Sequence, residues 1–265
     1  TPLDQIFNLL QLEYGRDPVG KLVSERLAVT APCEARTTEH KIISRISANQ
    51  DGSPQIVTTN FDHLFEHALE PMPLRTYVPP TFPDLRHDVP VTGITYLHGR
   101  LAEADSEVHD YILSSSDFGR AYLAKGWATS FIRHLLQRFT VVLLGYQAED
   151  PPVKYLLQGL SSDRNHDKKR LYAFDQGRAD EIEAKWRDRG VTPIAYPESS
   201  RHRALWDTLE AWATRSDNPA VWRSSIIDMA RRGPKALAPH ERGMLAHLVR
   251  TVPGAKQLAD ARSEE

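Results

Sequence analysis

Apolar residues recur along the first fifty positions at three- and four-residue spacing. Leu3, Ile6, Phe7, Leu10 and Tyr14 predict a helix with one buried stripe. Asp17-Pro18 reads as an N-cap followed by proline at the first position of a second helix. Thr37-Thr38-Glu39 opens a third, which carries Ile42, Ile43 and Ile46. Asp51-Gly52-Ser53-Pro54 breaks the helical period, and Gln55 to Thr59 predicts a short buried strand. Asn60-Phe61-Asp62 leads into a helix over His63 to Leu69, and the six prolines from Pro71 to Pro90 predict a loop. Further strands are predicted at Ile94 to Leu97, Tyr111 to Leu113, Thr140 to Leu144, Arg170 to Phe174 and Thr192 to Tyr196. Between them lie a cap at Ser114 to Asp117, a helical region carrying Phe131, Leu135, Leu136 and Phe139, a helix from Asp150-Pro151 to Leu160, and a charged helix from Arg178 to Arg189.

Short β-rich runs alternating with helices predict an α/β fold, a doubly wound, Rossmann-like and mostly parallel sheet covered on both faces. From Arg201 onward no strand is evident. Leu205, Leu209 and Trp212 form one stripe and Val221, Ile226 and Met229 another. The run Arg231-Arg232-Gly233-Pro234-Lys235 precedes a third helix around Leu245 to Val249, and a polar tail from Ala259 is expected to fray. The division expected is an α/β domain over residues 1–200 and an all-helical extension over 201–265 that starts a further domain. The chain opens at Thr1, which suggests a part of something longer.

Composition narrows the function classes. A charged fraction of 26% and an apolar fraction of 40% are ordinary for a globular chain of 265 residues. The net charge of −2 gives no electrostatic reason for a nucleic acid or an anionic membrane as main partner. No apolar run reaches the roughly 18 residues that a membrane-spanning helix needs. With Cys33 the single cysteine, an intrachain disulfide and a four-cysteine zinc site are both excluded; Cys33 reads as a small half-buried residue before a helix, and a cytoplasmic location is expected.

Three predicted strands end on polar residues: Thr58-Thr59-Asn60-Phe61-Asp62, Leu97-His98-Gly99, and Gly145-Tyr146-Gln147 with Asp150. Ligands of open parallel sheets bind outside the carboxyl ends of strands, so three such ends can converge on one ligand. Taken singly, an asparagine at a strand end is more often a turn former, a histidine before glycine a loop residue, and Asp150 a helix cap. His63, Glu66 and His67 fall within one helical turn, where a packed or solvated face outweighs a metal site. The five tryptophans read as packing, and Asp163 to Arg170 as an exposed charged loop. There is no P-loop, no His-Glu-x-x-His and no Gly-x-Ser-x-Gly.

Taken together and in this order, the three strand ends resemble the SIR2 family, and most closely its bacterial branch found in anti-phage proteins. The resemblance covers roughly residues 1–200 and rests on Ile56 to Glu66, on Leu97-His98-Gly99, and on Gly145-Tyr146 followed by Asp150. It implies NAD as substrate and cleavage at the nicotinamide–ribose bond. Asn60 would then bind the nicotinamide ribose or orient a water; as an amide it donates and accepts without a fixed charge. His98 would be the general base on a ribose hydroxyl, since imidazole titrates near neutrality. Thr59, Asp62, Gly145, Tyr146 and Asp150 would complete the NAD site, with Asp62 on the nicotinamide carboxamide.

The sequence departs from the family's pattern at three points. The glycine-rich strand turn of Gly-Ala-Gly-x-Ser type, which would cradle the pyrophosphate, is absent, so the sheet is expected to lack its first strand. The zinc ribbon of protein deacetylases is missing, which lowers the deacylase reading and implies no zinc. Gln147 stands where a serine often follows Gly-Tyr. The resemblance implies an NAD hydrolase acting as effector in a larger defence protein, with homo-oligomers and sensor domains or partners. A nucleotide-binding or oligomerising module without turnover is the alternative.

Overall fold

The computed structural model describes residues 1–28, 34–85, 91–102, 111–148, 150–162 and 170–263. The readings at Cys33 and at residues 163–169 lie outside them. The chain divides into two compact units, Thr1–His202 and Arg203–Glu265.

The described strand pairs of the first unit are all parallel. β1 (Gln55–Thr58), β2 (Thr76–Tyr77) and β3 (Gly93–Tyr96) form a sheet in the order β1-β3-β2. β4 (Val141–Leu143), β5 (Leu171–Gln176) and β6 (Thr192–Tyr196) form a second, in the order β4-β5-β6. The helices that join them are α3 (Glu34–Ser47) before β1, α4 (Leu64–Leu69) after it, α5 (Ser115–Phe118) and α6 (Trp127–Arg138) before β4, α7 (Pro151–Ser162) before β5 and α8 (Ala179–Trp186) before β6. This is the predicted α/β alternation, with the described strands in two three-stranded sheets rather than one. Central β3 is buried along its whole length, as a parallel strand covered on both faces should be. β4, the most apolar strand, is only half buried because it lies at the edge of its sheet.

β2 falls in the proline-rich stretch that was expected to be loop. Its pairing depends on Gly93, whose φ is +111° and where a Cβ would lie 2.1 Å from the Arg75 carbonyl oxygen. Only glycine lets the two backbones close and Ile94 donate to that oxygen at 2.9 Å. The strand expected at Tyr111 to Leu113 has no ladder. These residues are buried, but the backbone bond that holds them runs singly from the Ile112 N–H to the His98 carbonyl at 2.8 Å.

The amino-terminal helices differ most from expectation. α1 (Leu3–Tyr14) buries no residue, and Leu3 is 73% exposed. Of its stripe, Phe7 packs inward, onto the cluster of Leu101, Tyr111 and Leu113. Gln11 ties the helix down by a 3.2 Å bond to the Asp117 carboxylate. α2 (Arg16–Leu27) begins one residue ahead of Asp17, with Gly15 at the N-cap. Asp17 therefore sits in the first turn, where its charge meets the positive end of the helix dipole.

The second unit is helical: α9 (Arg203–Asp217), α10 (Pro219–Arg231), α11 (Pro239–Val249) and α12 (Val252–Ser263). On α9 the buried stripe is Leu205, Leu209 and Ala213, while Trp212 is 40% exposed. On α10 it is Trp222 and Ile226 rather than Val221, and they meet Leu248 of α11. α12 extends to Ser263, into the tail expected to fray from Ala259. Asn218 caps α10 through a 3.1 Å bond from the Val221 N–H, with Pro219 at the first helical position. Asn218→Ala is expected to destabilise this unit by about 1 kcal/mol, read as a lower denaturation midpoint by far-ultraviolet circular dichroism.

Among the described residues no helix is long and apolar enough to cross a membrane.

Candidate functional site

The carboxyl ends of β1 and β3 stand side by side. Thr58 pairs with Tyr96, so Asn60 and His98, each two residues further on, occupy equivalent places beyond the same end of the sheet. The Leu97 N–H continues the ladder to the Thr58 carbonyl at 2.8 Å.

After β1 the chain turns sharply. The Thr58 hydroxyl oxygen accepts from the Asn60 N–H at 3.0 Å, and Asp62 Oδ1 accepts from the Leu64 N–H at 3.0 Å, starting α4. These two side chains do what their residue types favour at turns and caps. The Asn60 side chain is exposed, and Thr59 and Asp62 are half-buried. Next along α4, Glu66 accepts from Arg100 at 2.7 and 2.8 Å and from the Tyr96 hydroxyl at 2.7 Å. Burial pushes the Glu66 carboxyl up, but Arg100 and Tyr96 outweigh it and hold it below its ordinary value. His63 Nε2 lies 3.0 Å from the Leu101 carbonyl oxygen, and His67 pairs with Glu70 at 3.1 Å. The three residues thus bond separately to their surroundings, as expected of a packed helix face.

After β3 the His98 side chain turns inward and is 5% exposed. Its ring meets Phe118 edge-on at 5.2 Å between centroids, and Nε2 lies 2.9 Å from the Tyr122 hydroxyl. Burial lowers its pKa to about 4, although the Asp150 charge pulls the other way. At neutral pH the imidazole is uncharged and fit to accept a proton.

The third strand end supplies that charge. Gly145 adopts a φ of +67°, and Tyr146 folds back to donate its hydroxyl to Asp150 Oδ2 at 2.8 Å, directly before α7. Ala148 follows with a φ of +50°, strained for a residue with a Cβ. Arg189 holds this turn by donating to the Gln147 carbonyl at 2.7 Å and to the Ala148 carbonyl at 3.3 Å. The Gln147 side chain is engaged by Lys185, so it does not stand free at the site.

The structure therefore brings His98, Tyr146 and Asp150 to one locality. Asn60 stands at the neighbouring strand end, and among the described residues no hydrogen bond joins its side chain to His98. Sequence reasoning missed Tyr122 and Arg189, and read Asp117 only as part of a helix cap. Asp117 is buried and gathers Arg16 and Arg120, each at 3.1 Å, while capping α5 with Ser114. It lines a cleft of about 130 Å³ together with Pro79, Pro80, Arg120, Lys125 and Trp127. The capping pair Ser114-x-x-Asp117 was legible. The tyrosine and the arginine act across many intervening residues, and no local pattern announces them.

The sequence profile of the SIR2-like domain matches residues 54–194, which contain all three strand ends. The chain is also 35% identical over 217 residues to an uncharacterized protein, y4cA, of Sinorhizobium fredii. That match covers 77% of this chain and 18% of the relative, so the chain spans less than a fifth of the relative's length.

Proposed function

This chain belongs to the SIR2-like domain family, and on that footing we propose that it is the catalytic domain of an NAD glycohydrolase. The reaction breaks the bond between nicotinamide and C1′ of the ribose and adds water to the ribose carbon. One observation carries the reading: an uncharged, inward-turned imidazole at a strand end, with a carboxylate close enough to act on it.

In this reading His98 takes the proton of a ribose hydroxyl as charge develops on the sugar. The Asp150 carboxylate favours both the imidazolium so formed and the cationic, oxocarbenium-like transition state. Asn60 binds the ribose or orients the attacking water. Asp62 engages the nicotinamide carboxamide with the oxygen that does not cap α4. Thr59, Gly145 and Tyr146 line the NAD site, and no zinc takes part. A glycine-rich strand of the kind the family resemblance implies would pair with the edges of β1 and β4 that no described strand covers, and join the two sheets.

The same resemblance supports a role as the effector of a larger bacterial anti-phage protein in the cytoplasm. Self-assembly involving the helical unit, and sensor domains or partners, would control so toxic an activity. The buried state of His98 favours a second reading, a nucleotide-binding module without turnover, because the ring must be uncovered before a ribose can reach it.

The test is release of nicotinamide and ADP-ribose from NAD by the full-length protein with its partners or trigger. Asn60→Ala is expected to slow release about tenfold or more, the worth of one charge-directed hydrogen bond in the transition state. NAD binding without release supports the module, and release only with an acylated peptide supports deacylation.

A further inference from the structure

His98 has one side-chain hydrogen-bond partner among the described residues, the Tyr122 hydroxyl at 2.9 Å, and the fold is specialised to place it. Tyr122 lies in a π-helix, Gly119–Ala124, inserted between α5 and α6. Such wide turns are rare and recur at functional sites, because they turn a side chain out of α-helical register. Asp117 anchors the segment before this turn through Ser114 and Arg120. The Thr129 hydroxyl fixes the turn itself by donating to the Tyr122 carbonyl at 2.6 Å. The Tyr122 ring stacks on Phe118 at 5.9 Å and is buried.

We propose that Tyr122 is a positioning residue whose hydroxyl oxygen accepts the Nε2–H of His98, holding the imidazole in the tautomer that leaves Nδ1 as the base. The direction of this bond follows from Asp150. Its charge acts on both Tyr122 and His98. A phenol beside a carboxylate turns its O–H dipole toward the negative charge, which leaves its lone pairs to a neighbouring donor such as the Nε2–H, with Nε2 2.9 Å away. Tyr146, on Asp150 Oδ2, completes the group of titratable side chains that bear on the ring. Burial, and then the Asp150 charge, push the Tyr122 phenol above its ordinary range. It therefore stays protonated and works as a hydrogen-bonding group rather than as a second base. Nδ1 carries no bond to a described residue. The logic is that of any catalytic histidine, in which a partner on one ring nitrogen fixes which other nitrogen receives the proton.

The kinetic consequence rests on the NAD-cleaving reading; the tautomer does not. Long-range proton–nitrogen correlation spectra of the full chain labelled with ¹⁵N-histidine, with His98→Gln to assign the resonance, report the tautomer directly. The wild type is expected to carry its ring proton on Nε2. Tyr122→Phe, which keeps the stacked ring and removes the hydroxyl, is expected to show both tautomers. It should also lower kcat for nicotinamide release about tenfold, with KM for NAD unchanged. A ring proton on Nδ1 in the wild type, or a Tyr122→Phe spectrum identical to the wild type's, overturns the assignment. A wild type that releases no nicotinamide overturns the NAD-cleaving reading alone, and the spectra still decide the role of Tyr122. Should Tyr122→Phe fail to fold, Asp150→Asn replaces it; loss of the charge that turns the phenol proton away should mix the tautomers in the same way.

Discussion

His98→Ala is expected to lower nicotinamide release by about 10²–10⁴-fold, the range for removing a general base. KM for NAD should change little, because the imidazole acts on a proton rather than holding the substrate. The substitution also empties a buried position and leaves the Tyr122 hydroxyl without its partner, so some thermal stability will be lost. His98→Gln separates the two effects: the amide keeps a hydrogen bond to Tyr122 but cannot take up a proton, and release should fall as far as in the alanine variant. The pH profile provides a further check. With His98 lowered to about 4 by burial, kcat/KM should hold as pH falls past 6 and be lost as it passes about 4. An exposed imidazole would already fail near 6.5. The stability linkage has the same sign. Between the ordinary value of 6.5 and about 4 the unfolded chain binds a proton that folded His98 refuses, so stability falls with pH across that window. Wild-type activity that vanishes near pH 6.5, or a glutamine variant that retains it, would remove His98 from the chemistry.

What was legible in the sequence follows the range over which the forces act. β5 and β6 and the helices that flank them declare themselves through apolar period and caps, because burial acts on a stripe of neighbouring residues. The strand ends were equally legible, since the motifs after β1, β3 and β4 are contiguous. β2 was hidden because its pairing depends on a backbone approach at Gly93 that no local pattern encodes. Tyr111 to Leu113 satisfied the apolar criterion for a strand without a partner to bond. The α1 stripe was read correctly as amphipathic and wrongly as buried. Periodicity reports that a face is apolar, and only tertiary contacts decide whether anything covers it. Burial also moved by one residue on α9 and α10, where Ala213 and Trp222 take the places expected for Trp212 and Val221.

The same distinction separates the two halves of the site. Asn60 and Asp62 sit in a turn with visible local work, Asn60 donating its backbone N–H to the Thr58 hydroxyl and Asp62 accepting the Leu64 N–H, so their residue types alone leave any ligand role open. His98 has no such local duty. Its side chain is buried against Phe118 and Tyr122, groups 20 and 24 residues away in sequence, by a fold that brings Asp150 to the same place. A buried, uncharged histidine satisfied by a tyrosine beside a carboxylate costs solvation and gains little stability. Chemistry is the more economical explanation for its presence.

Trp186→Ala is the substitution expected to cost most stability, about 3–5 kcal/mol. The Trp186 side chain is fully buried in the main core with Ala173, Ile182 and Val191. Its Nε1–H donates to Asp175 Oδ2 at 2.9 Å, which Lys185 also reaches at 2.7 Å. Alanine opens a cavity and withdraws one of the donors that keep a buried carboxylate satisfied. Trp186→Phe should cost less, since it fills most of the space and loses chiefly that bond. Burial pushes the Asp175 carboxyl up, but Lys185, Trp186 and the Gln176 N–H outweigh it and hold it below its ordinary 3.8. The stability this provides is present above pH 3.8 and is lost as pH falls through the lower folded value; the phenylalanine variant should narrow that window. The effect also reaches the site. Arg189 lies 5.1 Å above the Trp186 ring and from there clamps the Gln147 and Ala148 carbonyls. With the ring gone the clamp loosens, Ala148 relaxes from its positive φ, and Asp150 drifts from His98. Nicotinamide release by Trp186→Ala should therefore fall further than its folded fraction, measured by denaturant titration on the same sample. A variant within about 1 kcal/mol of wild type would show that the core closes around the gap. Release that merely tracks the folded fraction would show that the turn after β4 stands without the clamp.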